Sequence, residues 1–238
     1  AFEKVLLLPA PTFNVLEQML NSGFLISLIP EFKPIVDRIQ YDAYHLYPVD
    51  RHMLRTVNAI KTFGMSDALV QDNLCDQIYR ELKRKKMLLW AALLHDIGKG
   101  EPGEKHSHSG AKLAVKIMER MGYSPREIDL VDFLIENHLL LIKTATRRDT
   151  NDEETAISCA RQINDVARLK ILYLLTAADS AATGPKAWND WMAVLLKSFF
   201  LKVLKILEEG ELASQTAISA IDRKKRESSV LVDDIAGW

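Results

Sequence analysis

Apolar residues recur at intervals of three and four along most of this chain, the spacing that puts them on one face of a helix. Sustained alternation of β-branched and polar residues is missing, and the chain has no Asn-Gly or Asp-Gly pair to turn a hairpin. The pattern predicts helices near Val15–Leu20, stopped by Gly23; Val49–Phe63, ended by Gly64; Ser66–Leu82; Met87–Ile97; and Ser109–Met121, closed by Gly122. Further helices are expected at Pro125–Asn137, entered through Ser124-Pro125, and at Asp152–Ile163, Val166–Ala182 and Lys186–Glu209. Val166–Ala182 is apolar on nearly every side, as a central buried helix would be, and an acid, Asp179, stands at its end. The expected fold is all-α, a single domain across residues 1–238 with helical extensions at both ends.

Composition narrows the function classes. With 48% hydrophobic and 26% charged residues the chain is ordinary for a globular protein. A formal net charge of -1 argues against nucleic-acid binding through bulk electrostatics. No apolar run approaches the roughly 20 residues of a membrane span, and the apolar start at Val5–Leu8 is too short for a signal peptide. Cys75 and Cys159 lie far apart in helical patterns and are expected to be buried free thiols in a reducing, cytoplasmic setting. The basic runs Lys83–Lys86 and Arg223–Arg226 read as solvated helix ends. The start without methionine and the unsettled ending at Trp238 suggest a piece of a longer polypeptide.

The chemistry begins at His95-Asp96, which closes the apolar run from Leu88 and is followed at once by Ile97-Gly98-Lys99-Gly100. A buried imidazole beside a buried carboxylate is unfavourable unless something compensates it, and a divalent cation would. Gly98 and Gly100 are expected to let the backbone leave the helix and pass close to a ligand. Lys99 would then set a cation where a phosphate sits.

In order along the chain come His52, the His95-Asp96 pair, His106, His138 and Asp179. This series resembles the HD superfamily of metal-dependent phosphohydrolases. Imidazoles and carboxylates suit manganese, magnesium, iron or zinc. The resemblance implies one ion held by His52, His95, Asp96 and Asp179. If Asp96 bridges, His106 and His138 hold a second. His108 competes with His106, although His106-Ser107-x-x-Gly110-Ala111 matches the superfamily pattern better. His45 is expected to support the site rather than bind an ion.

The flanks narrow the resemblance. Ile29-Pro30-Glu31-Phe32, Gln40-Tyr41-Asp42, Val49-Asp50-x-His52, His138-Leu139-Leu140, Arg147-Arg148-Asp149 and Trp188-Asn189 are together similar to the central HD domain of the bifunctional uridylyltransferase/uridylyl-removing enzymes. That resemblance implies a phosphodiesterase that removes UMP from a tyrosine of the nitrogen-regulatory PII protein. In it Asp96 and Lys99 are catalytic, and Lys99, Arg147 and Arg148 contact phosphate. The parent chains of that family also carry nucleotidyltransferase and ACT domains. The Gly-Ser and paired-Asp motif of nucleotidyl transfer is not found in these residues, so forward transfer is not expected of them. The alternatives are an HD nucleotidase or other hydrolase of small nucleotides, and a non-catalytic HD scaffold or sensor.

Overall fold

The structure, a computed structural model, describes residues 2–8, 14–39, 46–65, 74–102, 105–147 and 153–210. Among them no strand occurs, as an all-α fold requires. Helices α1 (Phe2–Leu7), α2 (Asn14–Asn21) and α3 (Phe24–Leu28) lead into a 3-10 helix at Pro30–Ile35. Then come α4 (Val49–Thr62), α5 (Leu74–Glu81) and α6 (Lys85–Leu94), followed by a second 3-10 turn at Ile97–Gly100. The remainder is α7 (His106–Arg120), α8 (Pro125–Glu136), α9 (Leu140–Arg147), α10 (Glu153–Ile163), α11 (Val166–Thr183) and α12 (190–210).

The two helices with apolar residues all round become the centre. Every residue of α6 from Met87 to Leu94 is buried, and α11 buries Leu169 and the whole stretch Ile171–Ala178. α11 packs on α4, α5, α6, α8, α9 and α10, so these six helices are positioned around it. Local signals set the boundaries. Asp165 accepts from the Arg168 amide at 2.6 Å and starts α11. Ser124 and Glu127 form a reciprocal capping box with Pro125 at the first helical position of α8. Gly122, at φ 80°, reverses the chain between α7 and α8, and these two helices pack side by side. Cys75 and Cys159 are buried and unbridged, as expected.

Several boundaries differ from the sequence reading. The helix expected at Ser66–Leu82 is described only over α5, and residues 66–73 lie outside the described residues. The helix expected to run to Ile97 stops at Leu94, because the chain tightens into the Ile97–Gly100 turn, where the Lys99 amide bonds the Asp96 carbonyl at 2.9 Å. His106, expected in a loop, is the first residue of α7. Ser109 had looked like the helix start, but it is buried, and its hydroxyl bonds the Gly98 carbonyl at 3.3 Å instead of capping. Helix α9 was hidden in the unbroken apolar run Leu139–Ile142; it buries Leu141 and Ala145, one helical turn apart. Lys86 is not a simple solvated end, since it pairs with Glu3 at 3.3 Å and Glu127 at 3.4 Å. Arg223–Arg226 lie outside the described residues.

Candidate metal centre

Six side chains from five parts of the fold meet at one point. α4 brings His52, the end of α6 brings His95 and Asp96, the start of α7 brings His106, the α8–α9 turn brings His138, and the last turns of α11 bring Asp179. His52 Nε2 lies 3.2 Å from His95 Nε2, 2.9 Å from Asp179 Oδ1 and 3.7 Å from Asp96 Oδ2. His95 Nε2 is 3.4 Å from both Asp96 Oδ2 and Asp179 Oδ1. The other oxygen, Asp96 Oδ1, faces His106 Nε2 at 3.6 Å and His138 Nε2 at 3.8 Å. Two sets of donor atoms therefore share one carboxylate: His52, His95 and Asp96, and Asp96, His106 and His138.

Two of the imidazoles are oriented by the same device. α6 and α8 each end beside a histidine that turns its Nδ1–H onto the carbonyl three residues back: His95 to Ala92 at 2.9 Å and His138 to Ile135 at 2.6 Å. Both carbonyls lie in the last turn of their helix, and that of Ile135 also takes the His138 amide at 3.5 Å. Because a carbonyl only accepts, Nδ1 carries a proton in both rings and Nε2 is the atom turned inward, the one a metal-binding imidazole uses. Thr176 of α11 donates to the His138 carbonyl at 3.2 Å and ties that turn to the central helix.

Gly98 holds the second half of the site together, though not in the expected way. A Cβ there would stand 2.1 Å from the His106 carbonyl oxygen and 2.4 Å from the Gly110 amide nitrogen. The close approach is to α7. Gly100 likewise abuts Pro34 and Ile35.

The charges explain what holds the cluster in place. Burial is the largest influence on His95 and pushes its pKa down, but adjacent Asp96 and Asp179 more than reverse this and raise it to about 10. Burial raises both carboxyls, yet His95 and Lys99 hold Asp96, and His95 and His52 hold Asp179, well below the usual carboxylate range. Burial and the His95 charge lower His138 to about 4, and burial lowers His106. The carboxylates are thus not left uncompensated: Lys99 Nζ sits 2.6 Å from Asp96 Oδ2. The pull that two carboxylates exert on a proton of His95 is the same pull they would exert on a divalent cation. Four inward Nε2 atoms and two carboxylates fit a borderline or hard divalent ion.

His108, the competitor of His106, points away and pairs with Glu136 at 3.0 Å on the exposed side. Arg147 ends α9 but its side chain, like His45, Arg148, Asp149 and Gln40–Asp42, lies outside the described residues. Above the cluster opens a cleft of about 710 Å3 whose lining adds Ile142, Lys143, Ser180, Lys186 and Trp191 to the residues expected from sequence. None of these carried a distinguishing spacing.

A fold of buried helices that converges histidines and aspartates on one carboxylate is shared with a known class. The chain belongs to the HD domain family, whose model matches residues 49–179, from the start of α4 to Asp179. It is an HD-type metal-dependent phosphohydrolase domain. Bifunctional uridylyltransferase/uridylyl-removing enzymes from two strains of Vibrio vulnificus, YJ016 and CMCP6, are each 39% identical to it over 188 residues, 79% of this chain and 21% of theirs. The enzyme of that name from Gluconobacter oxydans strain 621H is 39% identical over 195 residues, 82% of this chain and 20% of its own. The chain therefore spans about a fifth of the length of these curated relatives. No helix among the described residues is long and apolar enough to cross a membrane.

Proposed function

We propose that this domain hydrolyses the phosphodiester joining UMP to a tyrosine of the PII protein, releasing UMP and the unmodified tyrosine. The observation that carries the reading is Asp96, whose two oxygens face two separate histidine pairs. In this reading His52, His95, Asp96 and Asp179 hold one divalent ion, and Asp96, His106 and His138 hold another, with manganese or magnesium foremost and iron or zinc compatible. Such ions supply a polarised phosphoryl oxygen and a water that ionises near neutral pH.

The side chains do the rest. Asp96 sets the spacing of the two halves through its paired oxygens. Lys99, with a side chain 11% exposed at the cleft edge, places a cation beside the phosphate. The water oxygen bonds to phosphorus as the water gives a proton to solvent, the bond from phosphorus to the tyrosine oxygen breaks, and the departing phenolate takes a proton back from solvent. Arg147 and Arg148 contact the nucleotide phosphate or an acidic patch on PII. The names of the relatives support the uridylyl-removing half of this reading. In it, the nucleotidyltransferase and ACT domains belong to the rest of a parent chain.

The test is to incubate the chain and Mn2+ with uridylylated PII, and in parallel with free nucleotides. Release of UMP from PII is the expected result. Hydrolysis of free nucleotides with none from PII overturns it in favour of a small-molecule hydrolase. Absence of any hydrolysis together with absence of bound metal leaves a scaffold.

A further inference from the structure

The cleft above Asp96 is much larger than one phosphate needs and falls within the size range of small-molecule sites. One wall is formed by the segment after α11 and the first turn of α12. That wall is held in shape. The Gly184 carbonyl accepts from the amides of Ala187 at 3.0 Å and Trp188 at 2.9 Å, and Asn189 Oδ1 accepts from the Met192 amide at 3.0 Å, capping α12. Two tryptophans three positions apart then take different places. Trp188 packs against the core, whereas Trp191 is 66% exposed and lines the cleft. Among the described residues that line the cleft it is the only Trp, Tyr or Phe. The core does not need this indole, yet it stands on a fixed turn in the same cavity as Asp96, Lys99 and His138.

We infer that Trp191 is the stacking surface of a pyrimidine-base subsite. The nucleotide half of the substrate lies with its phosphate at Asp96 and Lys99 and its base on the indole. This inference rests on the reading of the substrate as a uridylyl group. The tyrosine half belongs to a folded protein that stays outside the cleft, so the nucleotide is the half that enters whole. An indole face suits a base because every base presents a π-face. Ile142 of α9 adds apolar surface to the same cleft, and the exposed Lys143 and Lys186 add positive charge toward solvent.

The experiment measures binding of UMP and of ribose 5-phosphate to the whole chain with Mn2+, by calorimetry, for the wild type, Trp191→Ala and Trp191→Phe. UMP binding is expected to weaken at least about fivefold in Trp191→Ala, the low end of base–aromatic stacking, and to stay close to wild type in Trp191→Phe. Ribose 5-phosphate, which has the phosphate but no base, is expected to bind all three alike. Loss of both ligands in parallel, unchanged UMP affinity in Trp191→Ala, or no UMP binding to the wild type each overturns the subsite. If Trp191→Ala slows release of UMP from PII while UMP affinity is unchanged, the indole touches the protein side instead, and the base subsite is refuted. Failure of the uridylyl-removing reading looks different: PII is not hydrolysed, while UMP still binds in a manner that depends on Trp191. Equal melting temperatures are the control for folding, as expected for an exposed side chain.

Discussion

Replacing Gly98 by alanine tests how the two halves of the site are joined. The added methyl would lie 2.1 Å from the His106 carbonyl oxygen and 2.4 Å from the Gly110 nitrogen, where ordinary contact begins near 3.4 Å. Both atoms are backbone, so no side chain can swing aside. The Ile97–Gly100 turn and the start of α7 must separate by about 1 Å, and overpacking of this kind costs about 1–3 kcal/mol. For a domain of this size that is a fall in melting temperature of roughly 3–10 °C. The displacement falls on His106, whose Nε2 is 3.6 Å from Asp96 Oδ1, and leaves His52, His95 and Asp179 in place. Gly98→Ala is therefore expected to lose one of two Mn2+ ions in a titration at 25 °C while it remains folded. The opposite side of the same crossing gives the control: a Cβ on Gly110 meets the Gly98 nitrogen at 3.3 Å, only about 0.1 Å inside ordinary contact, so Gly110→Ala should cost much less than Gly98→Ala. Wild-type melting and full Mn2+ uptake in Gly98→Ala would refute the reasoning, as would equal damage from Gly110→Ala.

Three further outcomes follow from single contacts. Lys61 is buried, with Nζ 3.4 Å from the Val5 carbonyl, and desolvation lowers its pKa to about 8. The folded chain binds that proton less readily than the unfolded one, so Lys61 weakens the fold below pH 8 and this penalty disappears as pH rises toward 10.5. Lys61→Met should stabilise by about 1–3 kcal/mol at neutral pH, and an equal gain in melting temperature at pH 7 and pH 10 would contradict the sign. The Tyr123 hydroxyl accepts from Trp90 Nε1 at 2.6 Å and donates to Glu3, which docks α1 on α6. Tyr123→Phe leaves that indole N–H without a partner, costing about 1–3 kcal/mol, and should speed hydrogen exchange in α1; unchanged exchange there counts against the docking role. Burial pushes the thiols of Cys75 and Cys159 up to about 11 and about 12, so neither should react with a disulfide reagent at mildly alkaline pH until the protein is unfolded.

The parts of this fold that were legible in the sequence are those set by local rules. The apolar Val166–Ala182 run declared itself as the central helix, and Ser124-Pro125 with Glu127 marked the start of α8. His95-Asp96 was conspicuous because a charged pair closes a buried run, but nothing in periodicity says that His52 and His138 meet it; only the ordered pattern of histidines and aspartates did. His106 and His108 could not be separated by position alone. On α7, two residues apart, they face different directions, one toward Asp96 and the other toward Glu136. Gly98 read as backbone freedom, whereas the structure shows it at a close passage between the Ile97–Gly100 turn and the start of α7. Trp191 carried no signal because its importance lies in what the turn after α11 does with it.

The claim on which the rest depends is that one carboxylate, Asp96, joins two metal-binding halves. Mn2+ binding to the whole chain, counted by calorimetry and read by electron paramagnetic resonance, tests it most directly. The wild type should bind two ions as a spin-coupled pair, His138→Ala one ion, and Asp96→Ala no coupled pair. A coupled pair that persists in Asp96→Ala, or two uncoupled ions in the wild type, contradicts it.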